Sequence, residues 1–364
     1  MNYLINASNL KQGGGIQVAQ SICSQLKYFH SHRFIVVLSS YIDGSFIDFG
    51  RNVKVLRYNI KNSLPTLLLG KDGYLDALVQ NEKVDAVLTV FGPSRWKPAV
   101  PHLCGFARAQ LVLKNSPCYQ RKTIRDRLNY YLWTWAFKKS SNTFYTENKY
   151  ISDLLPDLLG NINVYTVSNY YNQIFDQPEK WGHTNQLKPF DGITTLSVSS
   201  HYPHKNFEIL IIAARHLQRL YPDFKFRFVL TFDAKEMPVP DDVREHFIFL
   251  GKVEVNECPN LYEQADIMFM PTLMECFTAT YPEAMRMGVP IITTDLDFAR
   301  GLCGEAACYY DAVSPLAAAE AIYKVAKDKE YATNLVKNGK EQLKKFDNYE
   351  QRAEKIIKIL EEIA

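Results

Sequence analysis

PTLMECFTATYPEAMRMGVP, residues 271–290, lies between two short apolar runs that each predict a β-strand. Its two carboxylates, Glu275 and Glu283, have seven residues between them. We expect Glu275 in the loop that leaves the first strand, and Glu283 near the start of the following helix. Gly288 is typical of the residue that ends a helix, and Pro290 follows shortly after it. The segment therefore predicts a strand–loop–helix–strand unit of a parallel sheet.

The loop before this helix has the chemistry of an anion site. A helix directs its N-terminal amides, and about half a positive charge, toward the loop that precedes it. A diphosphate there would accept hydrogen bonds from amides near Phe277 and Thr278, and the two carboxylates would accept hydrogen bonds from sugar or ribose hydroxyls. The spacing alone leaves an alternative open, in which Glu283 only complements the helix dipole and Glu275 is a solvated loop residue.

The same alternation of apolar runs and helical patterns extends over most of the chain. Runs that are apolar throughout are typical of parallel sheets covered on both faces, and strands that alternate with helices predict βαβ units. The runs outside the central segment are Tyr3 to Ala7, Phe34 to Leu38, Val53 to Tyr58, Ala86 to Phe91, Thr143 to Tyr145, Val164 to Val167, Ile193 to Val198, Phe226 to Thr231 and Phe247 to Leu250.

Polar residues, Pro and Gly collect between Asn172 and Gly192 and predict a linker. The predicted fold class is α/β, with two Rossmann-like domains, over 1–170 and 171–346, whose doubly wound parallel sheets face each other across a cleft. In such sheets, ligands bind outside the carboxyl ends of the strands. A length of 364 residues and a hydrophobic fraction of 47% fit two folded domains and exclude a disordered chain.

The charge balance and the cysteines exclude several classes of protein. With 42 basic and 39 acidic residues, the net charge of +3 gives no general case for a nucleic-acid binder. The seven cysteines form no C-x-x-C pair, which argues against a zinc knuckle and fits a reducing compartment. No apolar run is long enough for a transmembrane helix or a signal peptide, so we expect a cytoplasmic protein.

With its flanks, the 271–290 segment resembles the E-x7-E signature of glycosyltransferase family 4, the glycosyl transferases group 1, which are retaining enzymes of the GT-B fold. The resemblance implies transfer of a sugar from a nucleotide diphosphate sugar, held by the second domain, to a hydroxyl acceptor. It also implies that a final helix, about 347–364, packs back on the first domain. Further in-order matches are Val167-Ser168-Asn169, Tyr202-Pro203-His204-Lys205-Asn206, Phe249 to Val253, Leu261 to Asp266 and Gly304 to Ala307.

The resemblance assigns roles to individual residues. Lys205 matches the cation that holds the donor diphosphate, Glu275 the residue near the donor sugar, and Glu283 the residue that binds the ribose. A fixed ammonium group suits this role because cleavage of the sugar–phosphate bond leaves negative charge on the departing diphosphate. Without the motif, Lys205 would be expected to be an exposed loop lysine. The remaining predicted donor residues are Ser200, Cys276, Phe277 and Thr278.

Two departures from the family pattern affect this site. Ser200 stands where the family usually has an arginine, so one of two phosphate cations is missing, and His201, His204 or an arginine from elsewhere are candidates to replace it. Residues 276–278, Cys-Phe-Thr, stand where the family favours small residues, which would narrow the sugar pocket.

The first domain offers two candidates for the acceptor side. Gly13, Gly14 and Gly15 follow the first strand and open the first helix, where glycine lets a backbone approach a ligand closely. They do not spell G-x-G-x-x-G, which argues against a dehydrogenase, and a flexible turn is the alternative. His102 either contacts the transferred sugar or is a structural histidine.

Neither a metal nor a cofactor is expected beyond the nucleotide-sugar co-substrate. Asp295-Leu296-Asp297 spells D-x-D, the metal motif of the other major glycosyltransferase fold, but it follows a late strand. We expect it to cap the next element instead. The resemblance agrees, because GT-B enzymes generally need no catalytic metal.

Cations and aromatic residues interleave between Tyr119 and Lys139. This composition suits an anionic membrane surface and would fit a lipid-linked or glycan acceptor and a peripheral position on the inner face of the membrane. The alternative is a helix with aromatic core packing and a solvated basic face. No nucleic-acid recognition motif accompanies the cations, which are Arg121, Lys122, Arg125, Arg127, Lys138 and Lys139.

Two other functions stay open at this point. One is an epimerase or phosphorylase that uses a sugar nucleotide on the same architecture. The other is a sugar-nucleotide-binding protein without activity, because Ser200 replaces the family arginine. For an active transferase, the family resemblance implies a role in bacterial surface polysaccharide or glycoconjugate synthesis.

Overall fold

The computed structural model describes residues 1–11, 13–45, 47–61, 65–121, 123–184 and 186–364. The chain divides into two compact units. The first unit comprises Met1–Val112, Lys122–Asn169 and Asp347–Ala364. The second comprises Leu113–Arg121 and Tyr170–Phe346.

The first unit is built on one parallel sheet. Its strands are β1 (Asn2–Ala7), β2 (Arg33–Leu38), β3 (Val53–Arg57), β4 (Ala86–Thr89), β5 (His102–Gly105), β6 (Thr143–Thr146) and β7 (Asn163–Thr166). They lie in the order β3-β2-β1-β4-β5-β6-β7, with Ile5 paired to Val36 on one side and to Leu88 on the other. The strand order therefore reverses at β1, and sheets of this kind bind ligands at such a reversal.

The second unit repeats this arrangement with six parallel strands. They are β8 (Ile193–Ser197), β9 (Phe226–Leu230), β10 (Phe247–Phe249), β11 (Ile267–Met270), β12 (Ile291–Thr294) and β13 (Ala307–Tyr310). Their order is β10-β9-β8-β11-β12-β13, and Leu196 pairs with Val229 and with Met268. The order reverses at β8, between β9 and β11. Two Rossmann-like parallel-sheet domains are thus confirmed.

Helices connect the strands. They are α1 (Gly14–Gln25), α2 (Gly73–Asn81), α3 (Ala109–Val112), α4 (Ile124–Ser140), α5 (Lys149–Leu159), α6 (Ile209–Leu220), α7 (Cys258–Glu263), α8 (Thr280–Met287), α9 (Asp297–Cys303), α10 (Pro315–Lys327), α11 (Lys329–Leu343) and α12 (Tyr349–Ile363). Shorter 3-10 or π turns are Leu26–Tyr28, Pro65–Leu69, Pro117–Arg121, Gln173–Asp176, Pro178–Lys180, Pro203–Lys205, Ala234–Glu236, Arg244–His246, Val255–Glu257 and Gly304–Ala306.

Burial on both faces explains why the strands read as continuous apolar runs. In β1, Tyr3 and Ile5 belong to a core that includes Ile356 of α12. Leu4, which points the other way, belongs to a separate core with Leu75 of α2. Because both faces of the strand are covered, its side chains are mostly apolar, and the buried Asn6 is accommodated by a hydrogen bond from its Nδ2 to Thr89 Oγ1 at 3.3 Å.

The C-terminal helix α12 belongs to the first unit, and hydrogen bonds fix the point where the chain returns. The backbone N–H of Ser168 donates to Asp347 Oδ2 at 2.9 Å, and the backbone N–H of Asp347 donates to Ser168 Oγ at 2.6 Å. Arg352 of α12 is buried and donates to Asn169 Oδ1. Burial raises the pKa of the neighbouring Glu147 carboxyl to about 7, although the positive charge of Arg352 opposes this shift.

Two features of the fold differ from the sequence interpretation. The segment Leu113–Arg121 belongs to the second unit, where the buried Ser116 Oγ donates to the carbonyl of Leu273 at 2.7 Å, so a single boundary at residue 170 is incomplete. Strand β13 was not predicted, because its sequence ACYY has no β-branched residue.

Candidate active site

The candidate site of the second unit lies where the loops after β8 and β11 meet. The loop after β8 contains the turn Pro203–Lys205, and Asn206 ends this turn in a left-handed conformation with φ 55°. The carbonyl of His204 accepts hydrogen bonds from the backbone N–H of Leu273 at 2.7 Å and from Thr272 Oγ1 at 3.3 Å. The two loops are therefore bonded to each other at the reversal in strand order, the position expected for a ligand.

These contacts bring Lys205 and Glu275 together. Lys205 Nζ lies 2.5 Å from Glu275 Oε1, and the two side chains are only 11% and 12% exposed. Thr272 Oγ1 lies 3.0 Å from the same carboxylate oxygen, so its single hydroxyl hydrogen is shared between Glu275 and the carbonyl of His204. A lysine predicted to lie in an exposed loop when read without its motif is thus nearly buried and paired with one of the two predicted carboxylates.

Glu283 lies in the first turns of α8, as its position in the sequence predicts. Its backbone N–H donates to the carbonyl of Ala279 at 2.9 Å. Its side chain is buried, and the Tyr262 hydroxyl donates to Oε2 at 3.1 Å. Burial raises the pKa of the Glu283 carboxyl to about 7, because the hydrogen bond from Tyr262 only partly offsets the loss of hydration.

The three residues between Glu275 and α8 differ in their surroundings. Cys276 is buried. Phe277 is half-buried and packs edge-on against Phe346, with ring centroids 5.9 Å apart. Thr278 is buried, and its hydroxyl lies 2.9 Å from that of Thr280. One side of the Phe277 ring is thus already in contact with Phe346.

Ser200, which stands where the family has an arginine, and the nearby His201 and His204 differ in their surroundings. Ser200 is exposed, and His201 Nε2 lies 2.9 Å from Glu208, so this imidazole is already engaged. Burial lowers the pKa of His204, with Glu275 opposing this shift and Lys205 adding to it. His204 is therefore a neutral imidazole near the Lys205–Glu275 pair. The sequence identified it only as one of several candidates to replace the family arginine.

The glycines of the first unit lie at the carboxyl end of β1. Helix α1 begins at Gly14, and Gly13 has φ +74°, a conformation that favours glycine. A Cβ atom at Gly13 or Gly14 would meet nothing within 4 Å, whereas one at Gly15 would lie 3.5 Å from Leu10 and Phe91. The first two glycines therefore leave an open surface beside the reversal between β1 and β4.

His102 does not lie at this ligand-binding edge. It is the first residue of β5, at the end of the strand opposite to the carboxyl end. Nε2 lies 2.8 Å from Thr89 Oγ1 and Nδ1 lies 2.9 Å from the carbonyl of Ser140. Burial lowers the pKa of His102 to about 4. The expectation that His102 contacts the sugar is corrected, because both ring nitrogens are engaged inside the core.

The basic and aromatic segment forms helix α4, whereas Lys122 and the side chain of Arg121 lie outside the described residues. Arg125, Arg127 and Lys138 are exposed, and Lys139 Nζ lies 4.8 Å from the centroid of the Trp135 ring. One side of the helix exposes a row of large apolar side chains at helical spacing. They are Ile124, Leu128, Tyr131, Leu132 and Trp135, exposed by 87%, 59%, 69%, 53% and 46%.

Neither a metal cluster nor a spanning helix is found in the described part of the chain. No group of three or more His, Cys, Asp or Glu side chains is arranged there to hold a metal ion. Asp295 instead accepts hydrogen bonds from Arg300 at 2.5 and 2.9 Å. Among the same residues, no helix combines the length and apolar character needed to cross a bilayer.

Comparison with known families gives one match. Residues 179–342 match the family model for glycosyl transferases group 1. The matched region lies in the second unit and includes Lys205, Glu275 and Glu283. No curated protein matches the chain by sequence.

Solved structures with the same fold cover nearly the whole chain. Sucrose-phosphate synthase from Thermosynechococcus elongatus is 16% identical, with a TM-score of 0.72 over 99% of this chain and 98% of that one. WaaG, a glycosyltransferase involved in lipopolysaccharide biosynthesis, is 14% identical, with a TM-score of 0.70 over 99% of both chains. HepE from Anabaena in complex with UDP-glucose is 14% identical, with a TM-score of 0.67 over 99% of both. The fold is GT-B, and the family match supports a nucleotide-sugar-dependent glycosyltransferase.

Proposed function

We propose that the chain is a retaining glycosyltransferase of family 4 that moves a sugar from a nucleotide diphosphate sugar to a hydroxyl acceptor. The observation that carries this proposal is the ion pair between Lys205 and Glu275 at the reversal of strand order in the second unit, just ahead of α8. A cation, a carboxylate and a helix start converge there, and these are the groups that a sugar diphosphate requires.

In this proposal the donor lies along the carboxyl edge of the second sheet. Lys205 and the amides near Phe277 and Thr278 bind the diphosphate. Buried Glu283 accepts hydrogen bonds from the ribose hydroxyls, and Glu275 accepts them from the sugar. His204, as a neutral imidazole, is a donor that complements the ammonium group where the family has an arginine.

The chemical step follows from this placement. The bond between the anomeric carbon and the phosphate oxygen breaks, and its electron pair stays on the diphosphate. Lys205 is already fixed when this charge develops, so no reorganisation is needed to stabilise it. The acceptor hydroxyl attacks from the face that the diphosphate leaves, and the departing phosphate takes its proton, which gives retention of configuration. Neither a metal nor a further cofactor takes part in this scheme.

The ion pair also explains how a nearly buried lysine is tolerated in the free enzyme. An uncompensated cation with 11% exposure would lose much of its hydration. Glu275 compensates that charge and holds the ammonium group in place until a diphosphate arrives. The donor then adds a second anion to the same cation, while Glu275 turns its free lone pairs to the sugar hydroxyls.

We further propose a lipid-linked or glycan acceptor in surface polysaccharide or glycoconjugate synthesis at the cytoplasmic face of a membrane. The exposed apolar row of α4 supports this, since exposed Arg125, Arg127 and Lys138 accompany it. Apolar side chains inserted among lipid headgroups with cations beside them would bind an anionic membrane surface. WaaG, which shares the fold, is itself involved in lipopolysaccharide biosynthesis.

The donor is tested first. A panel of nucleotide sugars is screened by thermal shift, since a ligand that binds only the folded state raises the melting temperature. The donor that binds is then incubated with candidate hydroxyl acceptors, and the anomeric configuration of the product is read by NMR. We expect transfer with retention. Isomerisation of the donor without acceptor would indicate an epimerase, and binding without turnover over all acceptors would indicate a binding protein.

The membrane surface is tested by flotation with phosphatidylcholine vesicles, with and without phosphatidylglycerol. We expect binding only to the anionic vesicles, and loss of binding in Leu128→Ser/Leu132→Ser. A matched control is Leu220→Ser, which changes an exposed leucine of the second unit. Equal flotation of wild type and the α4 variant would contradict the proposed membrane surface without affecting the donor assignment.

A further inference from the structure

The buried Leu273, in the loop after β11, has both of its backbone polar groups hydrogen-bonded. Its N–H donates to the carbonyl of His204 at 2.7 Å, and its carbonyl accepts from Ser116 Oγ at 2.7 Å. These groups belong to the two planar peptide units on either side of its Cα atom, so rotation about both φ and ψ is restrained. Glu275 follows two residues later, and Lys205 directly follows His204. The restrained residue is therefore adjacent in sequence or by hydrogen bond to both members of the ion pair.

The serine that holds this loop comes from a distant part of the chain. Ser116 and Leu273 are 157 residues apart in sequence. The segment Leu113–Arg121 belongs to the second unit, although the chain up to Val112 and again from Lys122 belongs to the first. Part of the support of the candidate donor site is thus supplied by a short excursion of the chain between α3 and α4.

The direction of the Ser116 hydroxyl is set by its own segment. Ser116 is buried, and its Oγ accepts a hydrogen bond from the backbone N–H of Cys118 at 3.3 Å. This bond occupies a lone pair of Oγ and leaves the hydroxyl hydrogen for Leu273. Among the described residues, the hydroxyl is the only donor to the carbonyl of Leu273, so its removal would leave the carbonyl of a buried residue unsatisfied.

We propose that Ser116 is a positioning residue for the pair formed by Lys205 and Glu275. Its hydroxyl holds the peptide of Leu273, this peptide fixes the loop that contains Glu275, and Glu275 holds the ammonium group of Lys205 at 2.5 Å. Small displacements of a catalytic group by a distant substitution can cost large factors in rate. The role in sugar transfer rests on the proposed function, whereas the support of the ion pair does not.

The first test measures the coupling between Lys205 and Glu275 in folding and needs no enzymatic activity. Urea denaturation of wild type, Lys205→Ala, Glu275→Ala and the double variant gives this coupling, and the same four proteins are also made with Ser116→Ala. We expect the coupling to fall by about half or more in the Ser116→Ala series, because the loop can then shift away from Lys205. Equal coupling in the two series would overturn the proposal.

Two further variants separate the hydroxyl from its surroundings. Asn115→Ala changes the exposed neighbour of Ser116 in the same segment and should leave the coupling unchanged. Ser116→Cys keeps a side chain of similar shape with a weaker donor, so we expect a coupling between those of Ser116→Ala and wild type. If Ser116→Ala does not fold, Ser116→Cys takes its place, and wild-type coupling in that variant would overturn the proposal.

The second test measures turnover. We expect kcat of Ser116→Ala to fall about tenfold with KM for the donor within about twofold, because the lost stabilisation acts on the charge that develops in the transition state. In a Lys205→Ala background the same substitution should have little further effect, since the ammonium group that it positions is absent. An equal loss in both backgrounds, or a raised KM with unchanged kcat, would mean that Ser116 does not act through Lys205.

The two tests distinguish the failure of this inference from the failure of the proposed function. If the coupling depends on Ser116 but no nucleotide sugar binds or is turned over, only the proposed function is wrong. If sugar transfer occurs and Ser116→Ala changes neither the coupling nor kcat, only the positioning role is wrong.

Discussion

The carboxyl ends of the two sheets carry opposite charge arrangements. In the second unit, Lys205 is paired with Glu275 at 2.5 Å, so the candidate donor site is neutralised before any ligand binds. In the first unit, Arg95 and Arg108 lie against the Trp133 ring, and no described carboxylate pairs with Arg108. Two sheets with a similar order of strands therefore differ in how the cations at their carboxyl ends are partnered.

The difference between the two units shows how burial determines whether a cation needs a carboxylate partner. A nearly buried ammonium group loses much of its hydration and needs a permanent counter-charge. Guanidinium groups are more weakly hydrated and stack on an indole ring, so they tolerate mutual proximity without a carboxylate. The paired cation suits a charge that appears during a reaction, whereas Arg108 has no carboxylate within ion-pair distance among the described residues.

The largest expected effect is a loss of turnover when Lys205 of the second unit is replaced. In the proposed function Lys205 stabilises the departing diphosphate, so we expect kcat to fall about 10²–10³-fold in Lys205→Ala. The rate of transfer under saturating donor measures this effect. Lys252→Ala is the control, because Lys252 is a highly exposed lysine of the same unit. Wild-type turnover in Lys205→Ala would remove this residue from the active site.

The next effect concerns stability. In Lys205→Ala the Glu275 carboxylate is left nearly buried without its cation, so we expect the free energy of unfolding to fall by about 3 kcal/mol. Lys205→Ala/Glu275→Ala removes both charges and should recover part of that loss. Urea denaturation of wild type, Lys205→Ala, Glu275→Ala and the double variant measures the coupling. Strict additivity of the two single substitutions would mean that the ion pair contributes nothing.

A smaller effect is the pH dependence of donor binding. Because burial raises the pKa of Glu283 to about 7, its carboxyl is neutral below this pH and a stronger acceptor for ribose hydroxyls above it. We expect donor affinity to rise up to about tenfold between about pH 6 and 8. Calorimetry should show this rise in wild type and in Glu263→Gln, an exposed control, but not in Glu283→Gln.

The smallest expected effect is on the stability of Arg108→Gln, in contrast to that of Lys205→Ala. Arg108→Gln loses a stacking contact but also relieves repulsion from Arg95, so we expect a free energy of unfolding within about 1 kcal/mol of wild type. The informative quantity is the difference between Arg108→Gln and Lys205→Ala in the free energy of unfolding, measured under the same conditions. A large loss in Arg108→Gln would mean that an acidic partner stabilises this arginine after all.

Much of the second unit could be predicted from sequence because its signals are local. Glu275, Glu283 and the helix end at Gly288 lie in one segment, so the loop and α8 follow from spacing. Lys205 was predicted from a resemblance, and only the fold shows its contact with Glu275. Strand β13 was not predicted, because ACYY is a four-residue run without a clear period, although its two tyrosines favour a strand.

The first unit gave weaker signals because its important features are tertiary. Arg95, Arg108 and Trp133 are brought together only by the folding of three segments. Helix α4 carries apolar residues all around its axis, so periodicity did not separate the buried Phe137 from the exposed Leu128. His102 lies next to apolar residues at the start of a strand, and the sequence did not reveal that both ring nitrogens are engaged.

The hydrogen bonds between Ser168 and Asp347 have a consequence for how such enzymes can be recombined. They join the residues at which the chain leaves the first unit and comes back to it, so residues 170–346 begin and end at neighbouring points. A segment of that kind can be exchanged as a cassette while the ends of the host stay in place. The proposed donor site of one such protein could then be grafted onto the first unit of another, provided that residues 113–121 are transferred with the cassette.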